Sequence, residues 1–203
     1  MAASQRLVTL TLDTSDEQSI KEAASKLEQT HPEGIDYLIN VAGTADEKFQ
    51  PALETDGADY IRVLTVNTVG PFLMIKAFVP LLRKKQTRTV VNVSSVDGSI
   101  ATNRSGQYGE QAGMQLAYSC SKAALNMQTS VLANALKAED FTVISMCPGW
   151  VQTAMGQRAA DEGSQPELSV AESTAKQLAL IRRLTPADSG KFFSAAEDKE
   201  LPH

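Results

Sequence analysis

The sequence predicts an α/β fold, in which a mostly parallel β-sheet carries helices on both faces. Short and almost continuously apolar segments alternate along the chain with longer segments of helical periodicity. Strands that are apolar throughout are buried on both faces, which is typical of parallel sheets joined by helical crossovers. Three of these apolar segments are followed by Gly, Ser or Pro-Gly. These residues mark the carboxyl edge of the sheet, where such folds bind ligands.

The amino-terminal half begins with "RLVTLTLD", which we interpret as a strand. The next segment is amphipathic, with Ser15 as a candidate N-cap, and predicts a helix. "IDYLINVAG" is predicted to be a buried strand that ends in glycine, and the long helix after it is expected to bend near Pro71. The predicted elements of this half are strands at 6–13 and 35–43 and helices at 15–31 and 59–85.

The carboxyl-terminal half continues the alternation. "RTVVNVSS" and "FTVISMCPG" are predicted to be buried strands, and the polar, glycine-containing segment 96–113 is interpreted as a loop. The predicted elements of this half are strands at 88–95, 141–149 and 190–195 and helices at 114–137 and 169–184. Because no repeat, low-complexity segment or linker divides the chain, we expect one domain over residues 1–203.

Composition excludes several classes of function. The chain has 203 residues, 42% of them hydrophobic, a net charge of −5 and a pI near 5.1, which argue against a nucleic acid or an anionic membrane as partner. We find no signal peptide and no apolar run that is long enough to span a membrane, so we expect a cytoplasmic location. Two isolated histidines and two cysteines without Cys-x-x-Cys spacing make a His-based triad or a metal site improbable.

The segment "AYSCSKAALN" places Tyr118 and Lys122 four residues apart in a predicted helix, on one face. With four tyrosines in the chain, a Tyr-x-x-x-Lys match arises by chance about 0.2 times, so the pair needs its context. One interpretation is an amphipathic helix with a partly exposed tyrosine and a solvated lysine. The other is a catalytic pair, since Asn40–Gly43, Ser94–Ser95 and the turn at 148–153 are predicted to share the same sheet edge.

Several motifs, in a fixed order, resemble those of the short-chain dehydrogenases/reductases. They are "LD" at 12–13, "NVAG" at 40–43 with Val41 in place of a second Asn, Asn67 in "VNTVG", "VNVSSVDG" at 91–98, "YSCSK" at 118–122 and "PGWVQT" at 148–153. The tail "SGKFFSAAEDKELP" is similar to that of the carbonyl-reductase-like members. The resemblance extends from residue 6 to the end of the chain and implies a Rossmann-type sheet.

The resemblance implies four catalytic residues. Tyr118 would exchange the proton with the carbonyl or alcohol oxygen, and Lys122 would lower the tyrosine pKa and bind the nicotinamide ribose. Ser95, rather than Ser94, fits the family's Ser-x-x-Gly and would hold the carbonyl oxygen. Asn67 would hold a water in the proton relay.

The resemblance also implies a nicotinamide cofactor, for which we expect NADP, with NAD as the second possibility. Asp13 would contact the adenine, the backbone at 40–43 the adenosine ribose, and Val151 and Thr153 the carboxamide. The expected cofactor-binding residues are Asp13, Asn40, Lys76, Tyr118, Lys122, Val151 and Thr153. The competing interpretations are a solvated lysine for Lys76, cap or turn residues for Asn40 and Thr153, and a helix cap for Asp13.

The family pattern opens with a strand, a Thr-Gly-x-x-x-Gly-x-Gly turn, a helix and a second strand. None of these is recognisable before residue 6, so we expect a fold that is incomplete at the amino terminus, without the first two strands and the glycine-rich turn. Such a chain would leave a gap of roughly 14 Å beside the strand at 35–41, and that strand would gain an apolar edge. It would also bind the cofactor weakly, because the turn normally cradles the pyrophosphate.

The resemblance implies an NAD(P)-dependent oxidoreductase that reduces a ketone or aldehyde of a small or secondary metabolite, or oxidises the alcohol. The alternative is a non-catalytic truncated paralogue that serves as an oligomer subunit or scaffold. The long helices at 59–85 and 114–137 resemble those that form the family's dimer interface, so we expect a homo-oligomer under either interpretation.

Overall fold

The computed structural model describes residues 7–160 and 164–203, and its centre is a five-stranded sheet. The strands follow chain order across the sheet, the first four being parallel and the last antiparallel. They are β1 (Tyr37–Asn40), β2 (Thr89–Val93), β3 (Thr142–Cys147), β4 (Phe192–Ser194) and β5 (Lys199–Glu200). The predicted α/β class and the mostly parallel sheet are confirmed.

Seven α-helices lie in the described part of the chain. They are α1 (Glu17–Thr30), α2 (Gly57–Leu64), α3 (Gly70–Leu82), α4 (Ile100–Arg104), α5 (Leu116–Ala135), α6 (Ala154–Arg158) and α7 (Val170–Arg183). Alternate residues of the strands face opposite layers, as the two-residue period of a strand requires. Val90 and Val143 pack with residues of α1, α3 and α5, whereas Val91 and Ile144 pack with residues of α7. Helices therefore cover both faces of the sheet.

The predicted helix at 59–85 forms as one run from Gly57 to Leu82, with a π-helical turn at Thr65–Val69 between α2 and α3. The irregularity thus lies immediately before Pro71, which cannot donate a backbone hydrogen bond to the preceding turn. By length and composition alone this run is long and apolar enough to cross a membrane, a test that a core helix also passes. The buried side of α3 joins the core beside β1 and β2, which accounts for its apolar character.

The strand predicted at 6–13 does not form. Residue 6 lies outside the described residues, and residues 7–13 have no regular structure. Leu7 is 90% exposed, whereas Leu12 packs against the core next to α1. A strand needs a neighbour for its hydrogen bonds, and no described segment pairs with this one. An apolar pattern in the sequence does not show whether such a neighbouring strand is present.

The segment predicted to be a loop, 96–113, contains α4 and two short 3₁₀ turns, Val96–Gly98 and Gly109–Gly113. Ser99 begins α4, since its Oγ accepts from Thr102 N and donates to the Pro202 carbonyl. The sequence did not predict α6 and β5 either. All of these elements are five residues or shorter, too short for periodicity to reveal.

Candidate active site

A cavity of about 600 Å³ opens at the carboxyl edge of the sheet. This cavity is lined by Ser95, two residues after β2, by Cys147, the last residue of β3, and by Tyr118 from α5. Side chains of the 103–115 segment and of α6 and α7 form its walls, and Trp150 is among the lining residues. The predicted convergence at this edge therefore holds for Ser95 and Tyr118.

Ser95 is buried and sits in extended backbone immediately after β2. Its Oγ donates to Asp97 Oδ2 at 3.1 Å and accepts from Asp97 N at 3.2 Å, which caps the following 3₁₀ turn. Ser94 points elsewhere, because its hydroxyl donates to the Lys122 carbonyl at 3.4 Å and does not line the cavity. The geometry thus favours Ser95 over Ser94 as the serine that meets a ligand.

Tyr118 lies in the first turn of α5 and is half-buried. Burial raises the pKa of its phenol, the negative charge of Asp97 raises that pKa further, and a hydrogen bond between the Ser95 and Tyr118 side chains opposes the change. Gly98 brings the two residues together, because a Cβ on it would stand only 2.6 Å from the Lys122 carbonyl carbon. The turn after Ser95 therefore packs directly on the helix that carries Tyr118.

Lys122 is 4% exposed, and its Nζ donates to the Val93 carbonyl at 2.8 Å and lies 5.5 Å from the centre of the Tyr118 ring. Burial lowers the pKa of Lys122 to about 8. The expected proximity of the pair is thus observed. In this arrangement burial dominates, however, and the pKa of Tyr118 is raised rather than lowered.

Asn67 is fully buried in the π-helical turn, one layer behind the cavity. Its Nδ2 donates to the Thr44 carbonyl at 2.7 Å and to Ser121 Oγ at 2.9 Å, and its Oδ1 accepts from Thr44 N at 2.8 Å. The side chain therefore ties the segment after β1 to α5. A π-helical turn is frequent at functional sites, although here the amide is already engaged by protein groups.

Three of the residues expected to bind the cofactor lie in structural roles. Asn40 is buried and donates to Asn92 Oδ1 at 2.8 Å, and Asn92 in turn donates to Thr129 of α5. Thr153 lines the cavity with Val151 and also caps α6 through Gly156 N at 3.1 Å. Asp13 accepts from the Ser15 backbone and hydroxyl in the turn before α1.

The structure does not place Asp13, Asn40 or Lys76 at the cavity. Asp13 and Lys76 are both exposed, and neither is among the residues that line it. Lys76 lies on α3, close enough to Glu17 to contribute to the lowered pKa of that carboxyl, which mainly reflects a hydrogen bond from Lys21. Their cofactor roles stay predictions, and the solvated and turn interpretations describe their observed surroundings.

The described residues fit one half of a nicotinamide cofactor. The exposed backbone at Gly43 lies over Asn67 and Lys122, since a Cβ there would stand 3.5 Å from Asn67 Oδ1 and 3.7 Å from Lys122 Nζ. This rim, together with the exposed Thr153, suits a ribose and a carboxamide. For the pyrophosphate, the described residues offer no glycine-rich turn, and the N-terminus of α1 is already capped by Asp16.

Two acidic residues near the site were not predicted from the sequence to have a role there. Asp46 is 1% exposed, and its carboxylate accepts from the backbone of Tyr118 at 2.9 Å and of Ala117 at 3.3 Å. It thereby caps α5, whose own N-cap residue, Gln115, has left-handed backbone and makes no side-chain cap. Asp97 lines the cavity beside Ser95. Its position two residues after Ser95 was visible in the sequence, but the contact of Asp46 was not.

Known proteins support the resemblance. The short chain dehydrogenase family matches residues 1–163. An uncharacterized oxidoreductase of Saccharomyces cerevisiae, YKL071W, is 33% identical over 195 residues, which cover 90% of this chain and 72% of the yeast protein. The C-signal protein of Myxococcus xanthus is 38% identical over 160 residues, which cover 78% of this chain and 87% of the bacterial protein.

Solved structures agree with the fold. The NADPH-bound carbonyl reductase from chicken fatty liver superposes with a TM-score of 0.85 at 32% identity, over 97% of this chain and 77% of the chicken protein. The carbonyl reductase Sniffer of D. melanogaster gives 0.83 at 29% identity, over 96% and 77% of the two chains. With the catalytic-type serine, tyrosine and lysine already grouped at one sheet edge, these matches show that the chain belongs to the short-chain dehydrogenase family.

Proposed function

We propose that the protein reduces a ketone or aldehyde of a small or secondary metabolite with NADP(H), or oxidises the corresponding alcohol. The observation that carries the proposal is the grouping of Ser95, Tyr118 and Lys122 at the open carboxyl edge of the sheet. Membership of the short-chain dehydrogenase family supports oxidoreduction. The NADPH bound to the chicken carbonyl reductase supports the choice of cofactor, with NAD(H) as the second candidate.

In this mechanism bound NADPH would supply a hydride to the carbonyl carbon. The Tyr118 phenol, which is protonated at neutral pH as tyrosines ordinarily are, gives its proton to the carbonyl oxygen. Ser95 orients the same oxygen when its hydroxyl turns from Asp97 Oδ2 and donates to the carbonyl instead. Lys122 is cationic below about pH 8 and places a positive charge beside the phenolate that proton donation leaves.

The matched pair Tyr118→Phe and Tyr108→Phe tests this assignment, because both tyrosines line the cavity and each substitution removes only a hydroxyl. We expect Tyr118→Phe to lower carbonyl-dependent oxidation of NADPH by about 10²- to 10⁴-fold, and Tyr108→Phe to change it far less. Circular dichroism spectra would check that both variants fold. Near-normal turnover by Tyr118→Phe would reject the tyrosine as proton donor.

Cofactor binding separates the reductase from a non-catalytic subunit. Calorimetric titration of the 203-residue chain with NADPH and with NADH would measure both affinities. We expect weak binding, since the described residues would face the ribose and carboxamide but offer the pyrophosphate no cradle. We expect NADPH to bind more tightly than NADH, because NADPH is bound to the similar chicken carbonyl reductase. If neither cofactor binds, the scaffold interpretation is favoured.

We also propose that the chain forms a homo-oligomer in the cytoplasm through its two long helices. Apolar side chains that protrude from them are at least 40% exposed, namely Ile61, Val69, Phe72, Met127 and Val131. Exposed apolar side chains grouped on a surface are typical of interfaces. Light scattering coupled to gel filtration would measure the oligomer, and Met127→Lys should shift it towards the monomer if α5 contributes.

A further inference from the structure

The cavity carries a single charged side chain among the described residues that line it, namely Asp97. Much of the remaining lining is apolar or aromatic, including Phe49, Met114, Trp150 and Met155. A lone carboxylate in such surroundings is costly to bury, because few groups replace its water. Consistent with that cost, burial raises the pKa of Asp97, while the hydrogen bond from Ser95 acts in the opposite direction. A ligand that donates a hydrogen bond to the carboxylate would reduce this cost.

The position of Asp97 places that charge next to the reacting atoms. Oδ2 receives the Ser95 hydroxyl at 3.1 Å, and Ser95, Asp97 and Tyr118 line the same cavity. No described residue donates to Oδ1. A ligand whose carbonyl oxygen lies between Ser95 and Tyr118 would therefore present its neighbouring atoms to this carboxylate.

The described residues that line the cavity offer no counter-charge to an anionic ligand. Lys122 is directed at the Val93 carbonyl and does not line the cavity. Arg158, on α6, is directed away, because it donates to the backbone carbonyls of Asp46 and Glu47. A carboxylate on the ligand would consequently be desolvated close to Asp97 without a cation.

We propose that Asp97 selects carbonyl substrates that carry a hydrogen-bond donor, a hydroxyl or an ammonium group, on the carbon next to the carbonyl, and that it excludes oxo acids. This inference rests on the proposed carbonyl reduction and specifies its substrate class. The donor binds the carboxylate oxygen that Ser95 does not occupy. The bond to an ionised acceptor is stronger than one to a neutral group, and its loss leaves the carboxylate unpaired.

The chain's single tryptophan, Trp150, lines the cavity and so gives a binding signal that needs neither turnover nor cofactor. Its indole is held in place, because Nε1 donates to the Gly156 carbonyl at 2.9 Å. Three ligands share one phenyl ketone frame: 2-hydroxyacetophenone carries the donor, acetophenone lacks it, and phenylglyoxylate carries a carboxylate. Quenching of the tryptophan fluorescence at neutral pH would measure the affinity of each.

We expect 2-hydroxyacetophenone to bind at least about tenfold more tightly than acetophenone, and phenylglyoxylate to bind most weakly. Asp97→Ala should reduce the ratio of the affinities for 2-hydroxyacetophenone and acetophenone to near one. It should also make the affinity for phenylglyoxylate more similar to that for acetophenone. Asp97→Asn should retain part of the preference for 2-hydroxyacetophenone, since its amide oxygen still accepts. Asp140→Asn removes the same charge from an exposed position outside the cavity and serves as the control.

Equal affinities of the wild-type protein for 2-hydroxyacetophenone and acetophenone would overturn the inference, whatever the variants do. Tighter binding of phenylglyoxylate than of acetophenone would overturn it as well. The same ligands assayed for NADPH oxidation test the proposed function separately. Ranked affinities without turnover would count against the reductase alone, and turnover without ranking would count against the role of Asp97 alone.

Discussion

Burial shifts the pKa values of Tyr118 and Lys122 in opposite directions, because it favours the neutral form of each side chain. Removal from water raises the pKa of the phenol and lowers that of the ammonium group. The phenol therefore stays protonated at neutral pH but becomes a weaker acid, and the pKa of the lysine moves close to neutrality. The free energy of unfolding should record this sensitivity, because a pKa that differs between the folded and unfolded chain links stability to pH.

For Lys122 the folded pKa of about 8 lies below the ordinary value of 10.5. The unfolded chain therefore holds the lysine proton between these two pH values and the folded chain does not, so stability rises with pH across this window and is lost as pH falls through about 8. Lys122→Met removes the effect. We expect the free energy of unfolding of wild type, relative to that of the variant, to increase by up to about 1.4 kcal/mol per pH unit in this window.

Urea unfolding of both proteins between about pH 7.5 and 9.5 would measure the difference. Because the comparison is made against the variant, contributions from titratable groups that do not interact with Lys122 largely cancel. Lys137→Met, at an exposed position, is the matched control and should not reproduce the trend. A constant difference between wild type and Lys122→Met across this range would contradict the lowered lysine pKa.

At the scale of elements, α5 depends on a cap that comes from another part of the chain. Asp46 lies 72 residues from Tyr118 and accepts its backbone N–H, which fixes the turn that carries the tyrosine. Arg158 and Arg62 in turn hold the segment that contains Asp46, by donating to the carbonyls of Asp46 and Ala45. The position of Tyr118 thus depends on contacts among the β1 segment, α2, α5 and α6.

Asp46→Ala should lower the free energy of unfolding by about 1–3 kcal/mol, because it leaves two backbone donors at the start of α5 unsatisfied, one of them on the buried Ala117. Asp46→Asn should cost less, since its amide oxygen still accepts. Asp16→Ala removes the exposed cap of α1 and is the matched comparison, with an expected loss of about 1 kcal/mol. Urea denaturation would measure all three, and an Asp46→Ala variant as stable as wild type would contradict the capping role.

At the scale of the whole molecule, the outer edge of β1 is unpaired within the described residues. Tyr37, Ile39 and Val41 alternate with buried residues along this strand and are 44%, 39% and 66% exposed. They point to the face of the sheet on which α7 covers β2 and β3, and on that face no described helix covers β1. An apolar strand with a free edge is a site of association.

Ile39→Lys should therefore reduce concentration-dependent association, since a charge on an edge strand opposes pairing, and should cost little stability because the side chain is partly exposed. Static light scattering over a range of protein concentrations would measure the effect. Ile100→Lys, which places the same charge on α4, is the control. Association that persists unchanged in Ile39→Lys would assign it to another surface, such as the long helices.

The sequence by itself determined the parallel sheet and the shared helical face of Tyr118 and Lys122. These follow from apolar periodicity and motif spacing, which act over a few residues. Only the tertiary structure decided that residues 7–13 are not a strand, that Asp46 caps α5 and that the pKa of Tyr118 is raised. Each of these depends on which distant groups surround a residue. A strand's partner, a cap's acceptor and the loss of water around a charge arise only when the chain has folded.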